Sequence, residues 1–360
     1  MQIGIIGASF AKAAYLPALR YVPDAEVVAV ASARLPSARA AADAFGVPHA
    51  YDDWRAMLRA HRFDLVCVAT PPVQHAPQVL AALAAGAHVL CEKPTAMSAA
   101  EAARMLAAAD AAGRVHMIDH ELRFNPNRAR IASLIADGAL GEVRHVIITT
   151  VGPSWNDPAS RPKGDWWSLA DQGGGRLGAN GSHQVDLLRW WLGEVAWVTG
   201  AARVMVPHRV DKATGETWTA TADDVAYFTA EMAGGAVAQV FMSGVAAHNM
   251  NNVTQIFGSK GTIRLHNEDE RLWLAPSGGT FEDITEPDAN ASLPGVGPGI
   301  WNVSVVALMQ ELCAAIREAR PLRRGATFAD GVANQRVLDA VRLSGTERRW
   351  VRPEAIDAGA

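Results

Sequence analysis

Short apolar runs of strand length recur through the first third of the chain: IGIIG (3–7), EVVAVAS (26–32), DLVCVAT (64–70), AHVLCE (87–92) and VHMID (115–119). Between them lie Ala-rich segments such as LPSARAAADAF (35–45), VQHAPQVLAALAAG (73–86) and SAAEAARMLAAADAAG (98–113). The runs are rich in Val and Ile, and the intervening segments end at Gly46, Gly86 and Gly113, where helices commonly stop. Strands that alternate with helices form parallel βαβ units, because a parallel pair needs a crossover connection. This alternation predicts a parallel α/β domain over residues 1–122.

Past that point the pattern changes. EVRHVIITTV (142–151) reads as a strand, and DVAYFTAEMAGGAVAQVFMSG (224–244) reads as a hairpin around Gly234–Gly235. VTQIFGSKGTIRLHNEDERLWLAP (253–276) extends the meander, and helices are expected near 182–192 and 301–318. Residues 276–300 lack periodicity and read as a long surface loop. The expectation for 123–360 is an α+β domain built on an open, mostly antiparallel sheet.

Composition narrows the function classes. A formal net charge of −4 gives no basis for nucleic-acid binding. Among the apolar runs none is read as the roughly 18 residues of a membrane span. The start of the chain lacks a charged leader ahead of an apolar segment. Cys67, Cys91 and Cys313 are an odd number without metal spacing, so free thiols in the reducing cytoplasm are expected.

The first strand and turn, QIGIIGASFAKAAYLPAL (2–19), can hold a pyrophosphate at a helix N-terminus. Of the G-x-G-x-x-G pattern only Gly7 is present; Ser9 and Lys12 take the other positions. Phe10 lies in the same turn. The second strand ends in Ser32, followed by Arg34, where dinucleotide folds place a carboxylate for the ribose 2′-hydroxyl. A serine and an arginine suit a 2′-phosphate through charge-assisted hydrogen bonds. NADP is therefore expected as the preferred cofactor, with NAD the other candidate.

Glu92-Lys93-Pro94 after a strand, preceded by Thr70-Pro71-Pro72 and His75, resembles the Gfo/Idh/MocA oxidoreductases. The resemblance continues through HELRFNP (120–126), GGGRLGANGSHQVDLLRWWLG (173–193) and IFGSKGTIRL (256–265). It implies an N-terminal Rossmann domain, an α+β C-terminal domain with an open sheet, and NAD(P)-dependent redox chemistry on sugars or related polyols. It also implies dimers or tetramers formed through that sheet.

By the resemblance, Lys93 contacts the nicotinamide region and the substrate oxygen, and Glu92, Thr70, Pro71 and His75 stand near the cofactor. The second-domain histidine falls on His183, with Asp186 one turn later. Many polyol dehydrogenases of the family carry an aspartate four residues before that histidine; here the position is Ala179. His183 is then expected to carry more of the proton transfer, helped by Asp186.

A lysine beside a cationic ring suits this chemistry, since a neighbouring charge and desolvation both disfavour an ammonium. Helical spacing places His183, Asp186, Leu187, Trp190 and Trp191 on one face. Glu121, Arg123, Trp166 and Asn180 are the expected substrate groups. WNDPASRPKGDWW (155–167) adds Trp faces and charged hydrogen-bonders suited to a sugar or an aromatic ligand. No metal is expected, although His116, His120 and Asp119 cluster in sequence. Two other readings fit the same residues: a cofactor-retaining epimerase or glycoside-cleaving enzyme, and a nucleotide-binding protein without turnover.

Overall fold

The computed structural model describes residues 1–250 and 252–357. The chain forms two compact units, residues 1–125 with 287–332, and residues 126–286 with 333–357.

The first unit is built on a six-stranded parallel sheet: β1 (Gln2–Ile6), β2 (Glu26–Ala31), β3 (His49–Tyr51), β4 (Leu65–Val68), β5 (His88–Cys91) and β6 (His116–Ile118). Its spatial order is β3-β2-β1-β4-β5-β6. All five apolar runs became strands, and only β3 went unread. The order reverses between β1 and β4, where open α/β sheets bind ligands beyond their C-terminal ends. The connections are α1 (Leu16–Leu19, entered by a π-helical turn over Ala11–Tyr15), α2 (Leu35–Phe45), α3 (Trp54–Ala60), α4 (His75–Ala84) and α5 (Ala99–Ala112). Gly46 and Gly113 cap α2 and α5 in the left-handed conformation, as their positions predict.

The division read from the sequence placed all of 123–360 in the second domain. The contacts instead group 287–332 with the first unit. The reason is the helix Ile300–Arg317, whose Val305, Leu308, Met309 and Leu312 share one core with Ile3, Ile5, Leu65 and Leu90. Fully burying each such side chain contributes about 1.5–3 kcal/mol, which a helix left in solvent would forgo. This helix is also long and apolar enough, by length and composition, to cross a membrane. The sequence reading found no such run; the packing assigns its apolar residues to the core of the unit.

The second unit begins with α6 (Pro126–Ala136) and contains β7 (Val143–Val151), α7 (Ser182–Leu192) and β8 (Val195–Arg203). A small ribbon of β9 (His208–Val210) and β10 (Thr217–Thr219) follows. The main sheet is completed by β11 (Val225–Met232), β12 (Val237–Ser243), β13 (Val253–Gly258), β14 (Gly261–His266), β15 (Leu272–Pro276) and β16 (Glu282–Asp283). Its order is β16-β15-β14-β13-β7-β12-β11-β8, antiparallel throughout except for the parallel β7–β12 pair. The hairpin expected at Gly234–Gly235 joins β11 to β12.

Burial alternates along β11 and β12, as a sheet with one covered face requires. The uncovered face nonetheless carries large apolar groups. Tyr227 and Phe241 stack across the β11–β12 pair, and Trp197 and Val237 are also exposed.

Candidate active site

In the first unit, the turn after β1 is fixed by Gly7. Its φ is 110°, and a Cβ there would stand 2.1 Å from the Ala69 carbonyl oxygen. Only glycine fits, because the turn lies directly on the backbone leaving β4. The other two positions of the motif need no glycine. Ser9 and Lys12 are exposed, while Ala11 and Ala14 supply the close packing onto the sheet. Phe10 packs edge-on against Tyr15, with ring centroids 5.3 Å apart. Ser32 and Arg34 follow β2, and Arg34 is exposed at the head of α2.

The Thr70 and Lys93 turns are tied together by His75. Its ring is fully buried, with Nε2 2.8 Å from the Thr70 carbonyl and Nδ1 3.0 Å from that of Pro94. Burial pushes this imidazole below its ordinary pKa, outweighing the carbonyls and Glu92, which favour the charged form. Thr70 Oγ1 donates to Gln78 Oε1 at 2.7 Å. Pro71 precedes the short turn that opens α4. Glu92 Oε2 accepts the Lys93 backbone N–H at 3.2 Å, and the Lys93 side chain is half-buried.

Behind that turn Glu92 and Asp119, which the sequence offered separately, meet at Tyr15, which it did not offer. Tyr15, at the end of the π-helical turn, places its hydroxyl between Glu92 and Asp119. An acidic residue closing the VHMID strand, at the ligand-binding end of a parallel sheet, was the available signal for Asp119. Nothing in local periodicity pointed to Tyr15, whose neighbours come from 77 and 104 residues away.

Glu121 and Arg123, expected at the substrate, are both buried in this unit. Arg123 Nη2 donates to Asp330 Oδ1 at 3.3 Å, and its Nη1 to the Arg324 carbonyl at 3.4 Å. His116 Nδ1 accepts the Phe328 backbone N–H at 3.0 Å.

In the second unit, a π-helical segment, Leu177–Gly181, leads into α7. Such segments recur at functional sites because they shift the side-chain register. The glycine run before it is dictated by contact: Gly175 has φ 109°, and a Cβ there would lie 2.2 Å from Asp223 Oδ1. Asp223 accepts the Leu177 N–H at 2.8 Å and so caps the segment. Burial raises its carboxyl above the usual range despite that bond.

His183 and Asp186 are both buried, as is Ala179. The single apolar stripe expected for α7 is too narrow, since Ser182, Gln184 and Leu188 on its other sides are buried as well. Asn334 Nδ2 donates to the Ser182 carbonyl at 2.7 Å, and Trp191 Nε1 to that of Arg128 at 3.2 Å.

Asn180 is engaged by Arg176, which donates to its Oδ1 at 2.7 Å and also reaches Ser154 Oγ and the Ser243 carbonyl. Burial, then the neighbouring charge of Arg161, holds Arg176 below its ordinary pKa. Arg161 and Arg176 both lie over the Trp155 ring, at 5.1 and 5.4 Å. Trp166 and Trp167 are half-buried, with ring centroids 4.6 Å apart. This aromatic and cationic wall offers flat apolar faces and directed donors, the combination that sugars require. Lys93 belongs to the first unit and His183 to the second.

Residues 1–120 match the family described as "Oxidoreductase family, NAD-binding Rossmann fold", and residues 128–264 match the "GFO/IDH/MocA C-terminal domain". Among solved structures, an oxidoreductase domain protein from Kribbella flavida is 33% identical, covers 97% of this chain and 98% of its own, and superposes with a TM-score of 0.86. A levoglucosan dehydrogenase in complex with NADH and L-sorbose is 26% identical over 98% of each chain, with a TM-score of 0.87. The D-apiose dehydrogenase of Paraburkholderia graminis is 28% identical, over 99% of this chain and 90% of its own length.

Proposed function

The chain belongs to the Gfo/Idh/MocA family of oxidoreductases, and from that premise we propose how its residues divide the work of an NAD(P)-dependent dehydrogenase acting on CH–OH groups of sugar-like substrates. The relatives named for such activities, on levoglucosan and on D-apiose, match it over nearly its whole length.

The first unit suits a dinucleotide. Gly7 opens a turn with no room for a side chain, at the point where the strand order reverses. Gly7, Ser9 and Phe10 line the pyrophosphate end, Thr70, Pro71 and His75 the far end, and Ser32 and Arg34 the adenosine ribose. We assign a preference for NADP to Arg34 and to the lack of a carboxylate at Ser32. Once bound, the nicotinamide supplies the hydride acceptor or donor.

Lys93 exchanges the proton of the substrate hydroxyl. The observation that carries this is its position: a half-buried lysine at the C-terminal end of β5, on a turn held by Glu92 and His75. His183 is the second proton-transfer group and Asp186 orients it. Trp166 and Asn180 of the second unit, and Glu121 and Arg123 of the first, are assigned as the substrate groups. Three free, buried cysteines suit a cytoplasmic enzyme. The exposed apolar face around Tyr227 and Phe241 is the surface through which copies of the chain associate.

A panel of aldoses, anhydrosugars, inositols and their ketones, run with both nucleotides and followed by nicotinamide absorbance, tests this reading. Turnover of a sugar-like alcohol or ketone supports it. Nucleotide binding with no turnover across the panel would refute it.

A further inference from the structure

Tyr15 Oη stands 2.9 Å from Glu92 Oε1 and 2.8 Å from Asp119 Oδ2. A phenol has one proton and can donate to only one carboxylate. The second contact is a hydrogen bond only if the other carboxyl is itself protonated and donates. The alternative places two ionised carboxylates around one hydroxyl, out of water, where like charges cannot both persist. Tyr15 and Asp119 have no solvent exposure, and Glu92 is buried.

Titratable groups that face this cluster include Glu121, Cys67, Cys91 and His75. Glu121 adds to the negative charge, and burial keeps His75 below its ordinary pKa. Both conditions favour a retained proton.

We propose that Tyr15, Glu92 and Asp119 hold one shared proton, carried on the Asp119 carboxyl, and that this cluster positions the Lys93 turn. The positioning half rests on the assignment of Lys93 made above. Glu92 links the two: Oε1 is held by Tyr15 while Oε2 accepts the Lys93 N–H. Burial, then the charges of Glu92 and Glu121, pushes Asp119 well above the usual carboxylate range, in agreement with the geometry. Loss of the shared proton would set two negative charges against each other and draw Glu92 away from the turn. Tyr15 and Asp119 thus act through Glu92, as positioning residues.

Infrared spectroscopy of the full chain without nucleotide tests the shared proton directly. At neutral pH the native protein should show the carbonyl stretch of a protonated carboxylic acid, and Asp119→Asn should lose it. Absence of that band, or a band of undiminished intensity in Asp119→Asn, would overturn the proposal. Kinetics test the positioning. Tyr15→Phe and Asp119→Ala should lower kcat on the order of ten- to a hundredfold with little change in KM, the scale of a small misplacement of a catalytic group. Asp119→Asn should recover most of the loss, since an amide donates where the acid did. An unchanged kcat in Tyr15→Phe and Asp119→Ala would overturn the positioning role. If Asp119→Ala fails to fold, Tyr15→Phe and the infrared comparison still decide. A near-native rate for Lys93→Met would remove the Lys93 assignment and the positioning role with it, while the infrared band alone decides the shared proton.

Discussion

The Cβ that Gly7 lacks would fall 2.1 Å from the carbonyl oxygen of Ala69, so the turn after β1 and the backbone leaving β4 are in direct contact. Gly7→Ala would have to separate them as well as hold an alanine at a φ of 110°. Strained backbone of this kind costs roughly 1–3 kcal/mol before any clash is counted. A lower Tm together with weakened nucleotide titration is expected. Unchanged values for both would show that the turn can open without loss.

Arg34→Ala should weaken NADP binding and spare NAD, because the partner proposed for the guanidinium is the 2′-phosphate, which NAD lacks. Fluorescence titrations with both nucleotides check this. Equal losses for the two, or tighter NAD binding in the native protein, would refute the assignment.

Lys93→Met should cut turnover by roughly a hundredfold or more while nucleotide titrations remain recognisable. His183→Ala should also cost rate heavily. Asp186→Asn should cost less, since it removes orientation and charge but leaves the imidazole. Steady-state rates for the three variants, ranked in that order, are the check; Asp186→Asn costing as much as His183→Ala would contradict the division of roles.

Asp119 also sets a pH dependence of stability. Its carboxyl titrates higher in the folded chain than in the unfolded one. The folded state therefore binds more protons in that window, and stability falls as pH rises through it. Asp119→Asn removes the dependence. Relative to the native protein, the variant should gain stability as pH increases from acid toward alkaline conditions, read as the difference in Tm. A constant difference across that range would contradict a raised Asp119.

If copies of the chain associate through the β11–β12 face as proposed, Phe241→Glu should disperse them without unfolding the chain, because Phe241 is 44% exposed in the single chain. Sedimentation velocity reads the outcome. An unaltered oligomer would move the interface elsewhere.

Whatever depends on near neighbours in the chain was legible before any fold was known. The apolar runs became β1, β2, β4, β5 and β6, and the hairpin at Gly234–Gly235 formed where the glycines fall, because strand period, helix length and glycine turns are local properties. The Glu92-Lys93-Pro94 turn at the end of β5 and the buried His183 and Asp186 were legible for the same reason, once the motif placed them on known elements. Tertiary structure alone decided which distant groups meet. The helix Ile300–Arg317 joins the first unit because its apolar side chains are buried with Ile3 and Leu65, at least 302 and 240 residues away in the chain. Gly7 must be glycine because of Ala69, and Gly175 because of Asp223. The proton shared by Tyr15, Glu92 and Asp119 exists only where three strand and helix ends converge out of water, since burial and mutual contact, which no local pattern encodes, are what keep a carboxyl neutral.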